Sequence, residues 1–496
     1  MEIETTTMTL IVMFFIRGRH NHRQSFLSDV GLENGLESLE CRDSVISVFN
    51  LMVTNMANLS LLLWLLLANF DESTSWPAFL GQSATVAKIE NLPVKWSPKE
   101  GLLWSVATPG HGQSSPVSWD NKVFVTSTVG PKKDDYHVLC YSAKSGAELW
   151  NHKFKNSDPV ENSVYVSRAA PTPVVDKDRV VAFFESGDVI AIDHKGAVLW
   201  TSNIADKFGK FKNKFGLSGS LAQNKDHVFI LVDDEGPSYL VALEKASGKE
   251  VWKQDRTPRN SWSSPAAHTI DGVEQIVVSS AGSVDGYECA TGKLIWSFTD
   301  VGGNTGCTPV SIGNGKFFIA ASAGRDGGSA EMARKSNALM QVSKNGDTWT
   351  TAVLWKADEA TPSWASPIVH QGCAYWVNRM GVIYCFDMET GKLNYKERTK
   401  QSCWATPYGV GDRVYFFGKD GLTTVVGAGR EFRLIAENEL WDPNALVVDK
   451  AAGTNESTEE RRNAAAMFSG PTQYGFAIVG NNIVMRTGEK LFCIGK

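Results

Sequence analysis

The residues from which catalysis or metal binding could be built are eight cysteines, nine histidines and a scatter of carboxylates, and their spacing favours neither chemistry. No Cys-x-x-Cys occurs and no two cysteines adjoin. His111, His137, His152, His194, His227, His268 and His370 share no register, so no zinc site or redox dithiol is written locally. Ser114 and Ser115 lack the strand-turn-helix setting of a nucleophile elbow, and their hydroxyls read as caps on a strand start. Gly302-Gly303 and Gly327-Gly328 lack the strand-helix setting of a phosphate loop. Asp176, Asp178, Asp193, Asp271, Asp387 and Asp412 fall in turns, where an Asp carboxylate caps the backbone that follows. What remains is aromatic and cationic. Trp262, Trp364 and Trp404 each stand three residues before a Pro; Gln113 takes that place before Pro116, and Phe468 before Pro471. With His111, Arg168 and Arg379, and with Arg486 also within reach, they are the candidate binding residues. Flat faces beside hydrogen-bonding cations suit a sugar, a planar ligand or an extended peptide.

These residues occupy fixed places in a phrase that returns eight times: a small-hydroxyl-Pro start, strands, a turn containing Gly, and an aliphatic-Trp finish. The starts are Ser115-Pro116, Thr172-Pro173, Ser218-Gly219-Ser220, Ser264-Pro265, Thr308-Pro309, Ser366-Pro367, Thr406-Pro407 and Ser469-Gly470-Pro471. The finishes are Leu149-Trp150, Leu199-Trp200, Val251-Trp252, Ile295-Trp296, Leu354-Trp355 and a weakened Asn394-Tyr395. Each unit reads as four antiparallel strands. One such sheet leaves two apolar faces bare, and stacking in a ring buries both. The expectation is all-β: an eight-bladed β-propeller over residues 76–496. The last unit stops one strand short, while Leu102-Leu103-Trp104-Ser105-Val106 is a finish with no unit before it. That amino-terminal strand is therefore expected to complete the last blade. The Trp of each finish is expected to cover the seam to the next blade and give its N–H to a backbone carbonyl. The Trp residues before the prolines have a competing role as packing between blades near the axis. Two inserts interrupt the pattern: a polar one from Arg325 to Gly346, and one from Asp442 to Ala466 with a predicted helix over 459–466.

The formal charge of -5 leaves no basic footprint for nucleic acid. Cys140 and Cys385 stand where another unit places Ala242, so they are expected to pack rather than bridge. Residues 1–75 show no repeat. Their Leu-rich run 59–68 has the length of a secretory h-region but not of a membrane span, and is expected to act as a signal segment with translation starting at Met52 or Met56. That places the protein in the periplasm or outside the cell, without a transmembrane anchor.

The phrases Leu243-Glu244-Lys245-Ala246-Ser247-Gly248-Lys249-Glu250-Val251-Trp252 and Phe386-Asp387-Met388-Glu389-Thr390-Gly391-Lys392-Leu393 resemble the repeats of pyrroloquinoline-quinone (PQQ)-like propellers. The closing segment Arg486 to Ile494 resembles the stand-alone exported propellers common in planctomycete-like bacteria. The resemblance implies the propeller fold and leaves function open: a polysaccharide hydrolase or lyase with two carboxylates on the channel face is a third reading behind two others. One is a non-catalytic, monomeric binding or scaffold module for a protein or polysaccharide partner. The other is a PQQ-dependent oxidoreductase of alcohols or sugars. In the dehydrogenases the resemblance implies an adjacent Cys-Cys ring, a Trp stacking face, Glu/Asn/Asp calcium ligands and a catalytic Asp. This chain has no adjacent Cys pair, so no cofactor is expected and the binding reading is preferred.

Overall fold

The computed structural model describes residues 75–83, 91–161, 163, 166–213, 215–322, 330–445, 458, 459, 462 and 470–496. The expected signal segment, Phe468 and most of the helix over 459–466 lie outside them. Ser73–Lys496 form one unit.

Eight four-stranded antiparallel sheets follow one another as the blades of a ring. Blade 1 runs Val117–Trp119, Lys122–Val129, Asp135–Ser142 and Glu148–Lys155 from the axis outward. Its two middle strands are buried almost throughout, whereas its outer strand alternates between half-buried and exposed. This is the burial of a sheet covered on both faces and wet only at its rim. The ring closes as the sequence implies. Gln473–Val479, Asn482–Thr487 and Lys490–Ile494 form three strands of blade 8, and Leu102–Ala107 adds the fourth, with Trp104 opposite Cys493 and Val106 opposite Leu491.

Two repeated contacts hold neighbouring blades together. The first is the outer-strand tryptophan. The indole N–H of Trp104 donates to the Ala143 carbonyl (2.9 Å), Trp150 to His194 (3.2 Å), Trp200 to Lys245 (2.9 Å), Trp252 to Cys289 (2.8 Å) and Trp355 to Met388 (3.0 Å), each in the next blade. The ring lies on the glycine of that blade's turn. At Gly248, with φ +70°, an added Cβ would come within 2.4 Å of Trp200, so the position needs Gly for its backbone and for the seat it leaves. Trp296 departs from the pattern, donating to the Gln275 side chain at 2.6 Å.

The second contact circles the axis. The Ser115 N–H donates to the Thr172 hydroxyl (2.9 Å), Thr172 to Ser220 (3.1 Å), Ser220 to Ser264 (2.9 Å), Ser264 to Thr308 (3.1 Å), Thr308 to Ser366 (3.0 Å) and Ser366 to Thr406 (3.0 Å). The small-hydroxyl-Pro phrase is thus a belt. The hydroxyl accepts from the preceding blade, and the proline that follows has no N–H to leave unpaired.

Blade 8 corrects one expected start. Counting back from the first turn, its register places Gly475-Phe476, not Ser469–Pro471, where blade 7 has Thr406-Pro407. The belt hydroxyl is lost there because a Cβ at Gly475 would fall 2.1 Å from the Ser115 Oγ. The expected insert from Arg325 to Gly346 is also corrected. Ala330–Lys335 is a helix, but Ala338–Asn345 is the third strand of blade 5.

Residues 75–83 do something the repeat does not announce. Trp76 exchanges backbone hydrogen bonds with Ser118 of blade 1 (2.9 Å each way) and packs edge-on against Tyr408 of blade 7 at 5.4 Å and tilted on Phe476 of blade 8 at 5.8 Å. The Pro77 carbonyl accepts from Val175 of blade 2 (2.8 Å) and from the Gln223 side chain of blade 3 (3.1 Å). The short helix Leu80–Ser83 touches the inner strand of blade 4. One segment therefore reaches blades 1, 2, 3, 4, 7 and 8 and stops the central channel.

Candidate binding face

Antiparallel order sorts the connections between two faces. Tight turns such as Asp120-Asn121, Asp271-Gly272 and Gln371-Gly372 link first to second strands on one face. The longer links between second and third strands, and those between blades, emerge on the other. All candidate binding residues lie in or beside these longer links. The stopper packs near the ends of the inner strands, at Ser118, Val175 and Gln223, which is the tight-turn side. The stopper thus sits on the side away from the longer links, and loops on a rigid scaffold are where binding residues concentrate.

The candidates fall into separate groups on this loop face. Trp364, in the link into blade 6, is 46% exposed although Trp404 packs edge-on against it at 4.8 Å. Lys419 holds its ammonium 5.4 Å from the Trp404 ring centre, and the exposed Arg379 is tied to the residue before Trp364 through its N–H to the Ser363 hydroxyl (3.1 Å). Exposed Met380 adjoins it. Trp364 and Trp404 make an aromatic corner beside Lys419, whose ammonium also pairs with Asp420 at 2.7 Å. Trp262 stands apart. Its indole N–H donates to the Gly216 carbonyl (3.2 Å) and its ring meets Phe215 at 6.1 Å, so it packs between blades 3 and 4.

Across the ring, the links into blades 1 and 2 are joined. The Arg168 N–H donates to the Gln113 side chain (2.9 Å), and the Gln113 N–H to the Arg168 carbonyl (3.0 Å). His111 is held by a backbone pair with Thr128, and its Nε2 lies 3.4 Å from the Tyr474 hydroxyl. Burial first, then Arg168 and Arg486, hold its pKa well below the ordinary histidine value. Arg486 does not reach the axis. It is fully buried at the closing seam, where its guanidinium donates to the Ser114 carbonyl and hydroxyl and to the Thr126 carbonyl of blade 1.

Tyr474, Lys133 and Lys419 complete these groups and were not singled out from the sequence, because none occupies a repeat position. A faint signal exists in two glycines. A Cβ at Gly488 would strike the His111 ring at 2.1 Å, and one at Gly112 would strike the Arg486 guanidinium at 2.1 Å. At the place equivalent to Trp404, blade 8 carries Gln473 rather than Phe468; it is fully buried with neither amide atom partnered.

Among the described residues no group of three or more His, Cys, Asp or Glu side chains is arranged to hold a metal ion. The seven described cysteines are free and buried. Among the described residues, no helix is long and apolar enough to cross a membrane.

The chain belongs to the family described as outer membrane protein assembly factor BamB, whose model matches residues 62–212, 209–336 and 341–430, and is thus a PQQ-like β-propeller repeat protein. BamB from Moraxella catarrhalis has a similar structure: 13% identity, TM-score 0.52, covering 80% of this chain and 97% of that one. So does quinohemoprotein alcohol dehydrogenase from Comamonas testosteroni: 12% identity, TM-score 0.52, covering 86% of this chain and 81% of that one. At such identities the likeness is one of fold. No curated protein matches the chain.

Proposed function

We propose that this protein is an exported, non-catalytic binding or scaffold module, working as a monomer in the periplasm or outside the cell, whose loop face receives a protein or cell-surface polymer partner. The observation that carries this reading is the loop face. It carries exposed Trp364 packed on Trp404, Lys419 over Trp404 and exposed Arg379 in an adjoining link, on loops fixed by a closed ring. An exposed tryptophan is the kind of anchor that dominates binding interfaces. Membership of a family described by an assembly factor supports partner binding over turnover.

The test is capture from envelope extract with the full chain immobilised, followed by the same capture with Trp364→Ser, Arg379→Gln and, on the tight-turn face, Lys177→Glu. Loss of a specific partner in the first two variants, with retention in the third, supports the reading. Equal capture by all three overturns it. Saturable binding of PQQ with calcium, together with dye-linked oxidation of an alcohol or sugar, would replace it with the quinoprotein reading.

A further inference from the structure

Three cations gather beneath the loops of blades 8, 1 and 2 and outnumber the carboxylates beside them, Glu185 and Glu489. Arg486 is fully buried, and its Nε has no partner. Lys133 is 1% exposed and gives its ammonium to the Ser167 carbonyl. Arg168 rests against the Tyr474 hydroxyl and leaves a buried Nε unpartnered. Among the described residues none of the three forms an ion pair. Glu185 acts on both Lys133 and Arg168; one of its oxygens accepts from the Ala169 N–H at 2.7 Å and the other is buried without a partner, while Arg486 forms no ion pair. Glu489, which also acts on Arg168, is exposed at the rim. A buried cation without a counter-charge is unfavourable, and an anion brought by a ligand relieves it.

The corner is open where a ligand would arrive. His111, Arg168, Gln113 and Tyr474 are half-buried, while Arg486 and Lys133 lie beneath them. The two glycines at 112 and 488 make room for the Arg486 guanidinium and the His111 ring, so the gathering of charge is built into the backbone.

The geometry points to an oxyanion seat at this corner, where Arg168, the Tyr474 hydroxyl and the His111 imidazole receive a carboxylate or phosphate group of the ligand, with Arg486 and Lys133 supplying charge from below. This rests on the loop face being the binding face and adds that the partner carries an acidic group. Arg168 and the Tyr474 hydroxyl supply donors with no reorganisation of backbone, and charge-assisted hydrogen bonds of this kind are the strong ones. In the free protein, burial and the neighbouring Arg168 and Arg486 keep His111 neutral. An anion beside it favours the imidazolium, so binding is coupled to proton uptake and tightens as pH falls through the histidine range.

The experiment uses the full chain with isotope-labelled histidine rings, titrated by NMR with inorganic phosphate in one arm and acetate in the other. The His111 resonance is assigned by its loss in His111→Gln. The expected result is a saturable rise in the His111 pKa of roughly one pH unit, absent in Arg168→Gln and partly kept in Arg168→Lys. A response to phosphate alone assigns a phosphate ligand, and a response to both anions a carboxylate. If neither anion at millimolar concentration moves His111, or if Arg168→Gln leaves the rise intact, the seat does not exist. Should Arg168→Gln fail to fold, Tyr474→Phe and Arg168→Lys give the same reading by weakening the response. Failure of the loop-face reading is separate: Trp364→Ser would then capture every partner while the His111 titration still answered to the anion.

Discussion

Replacing Trp104 by Ala removes the bolt that closes the ring. Trp104 is 9% exposed, its indole donates to the Ala143 carbonyl at 2.9 Å, and its ring lies on Gly146, where a Cβ would approach to 2.7 Å. Truncating a buried aromatic costs about 3–5 kcal/mol, of which the hydrogen bond is about 1 kcal/mol. The same local terms apply to Trp200, which is equally buried with an equal bond to the Lys245 carbonyl. The difference lies in the chain. The strand of Trp200 continues its own blade, whereas Leu102–Ala107 is joined to the rest of blade 8 by pairing with Lys490–Ile494. Trp104→Ala should therefore lower the urea midpoint as Trp200→Ala does and, in addition, speed amide exchange in Lys490–Ile494. Deleting residues 76–108 should abolish cooperative folding. The control is Leu149→Ser, on an outer strand at a site 49% exposed, which should stay within about 0.5 kcal/mol of wild type. A Trp104→Ala protein as stable as that control, with unchanged exchange at 490–494, would refute the closure argument.

Gly248→Ala should destabilise more than Gly272→Ala. Both have positive φ, costing about 1–2 kcal/mol for a side chain, but only at Gly248 does the Cβ meet a ring; calorimetry of the pair isolates the clash. Thr308→Val removes the acceptor of the Ser264 N–H inside the belt and should cost about 1–3 kcal/mol in chemical denaturation, with Thr308→Ser restoring it. His268 packs against Phe317 at 5.1 Å, and burial pushes its pKa down to about 4. Above pH about 6.5 both folded and unfolded states keep it neutral. As pH falls from there toward 4 the unfolded chain takes up the proton first, so stability drops across that window. His268→Phe should flatten the drop in a pH series of thermal midpoints, and an unchanged slope would contradict it.

The blades, their number and their closure are legible in the chain alone, because each of these is written in short-range pattern. A hydroxyl before proline, a Gly-containing turn and a terminal Trp set one four-stranded sheet. A sheet with two apolar faces has to repeat until its orphan strand, Leu102–Ala107, is used. Blade 8 was misread at its start because Gly475-Phe476 carries neither the hydroxyl nor the proline. The candidate site is legible only in three dimensions. Which face bears the loops follows from strand direction, but that Trp76 and Pro77 stop the other end depends on contacts with six blades far apart in the chain. Trp364 and Trp262 are indistinguishable in the repeat, yet one is exposed beside Arg379 and the other is wedged against Phe215. His111, Arg168, Tyr474 and Arg486 come from opposite ends of the sequence and meet only because the ring closes. Charge and burial at a seam are properties of that meeting, and no local spacing encodes them.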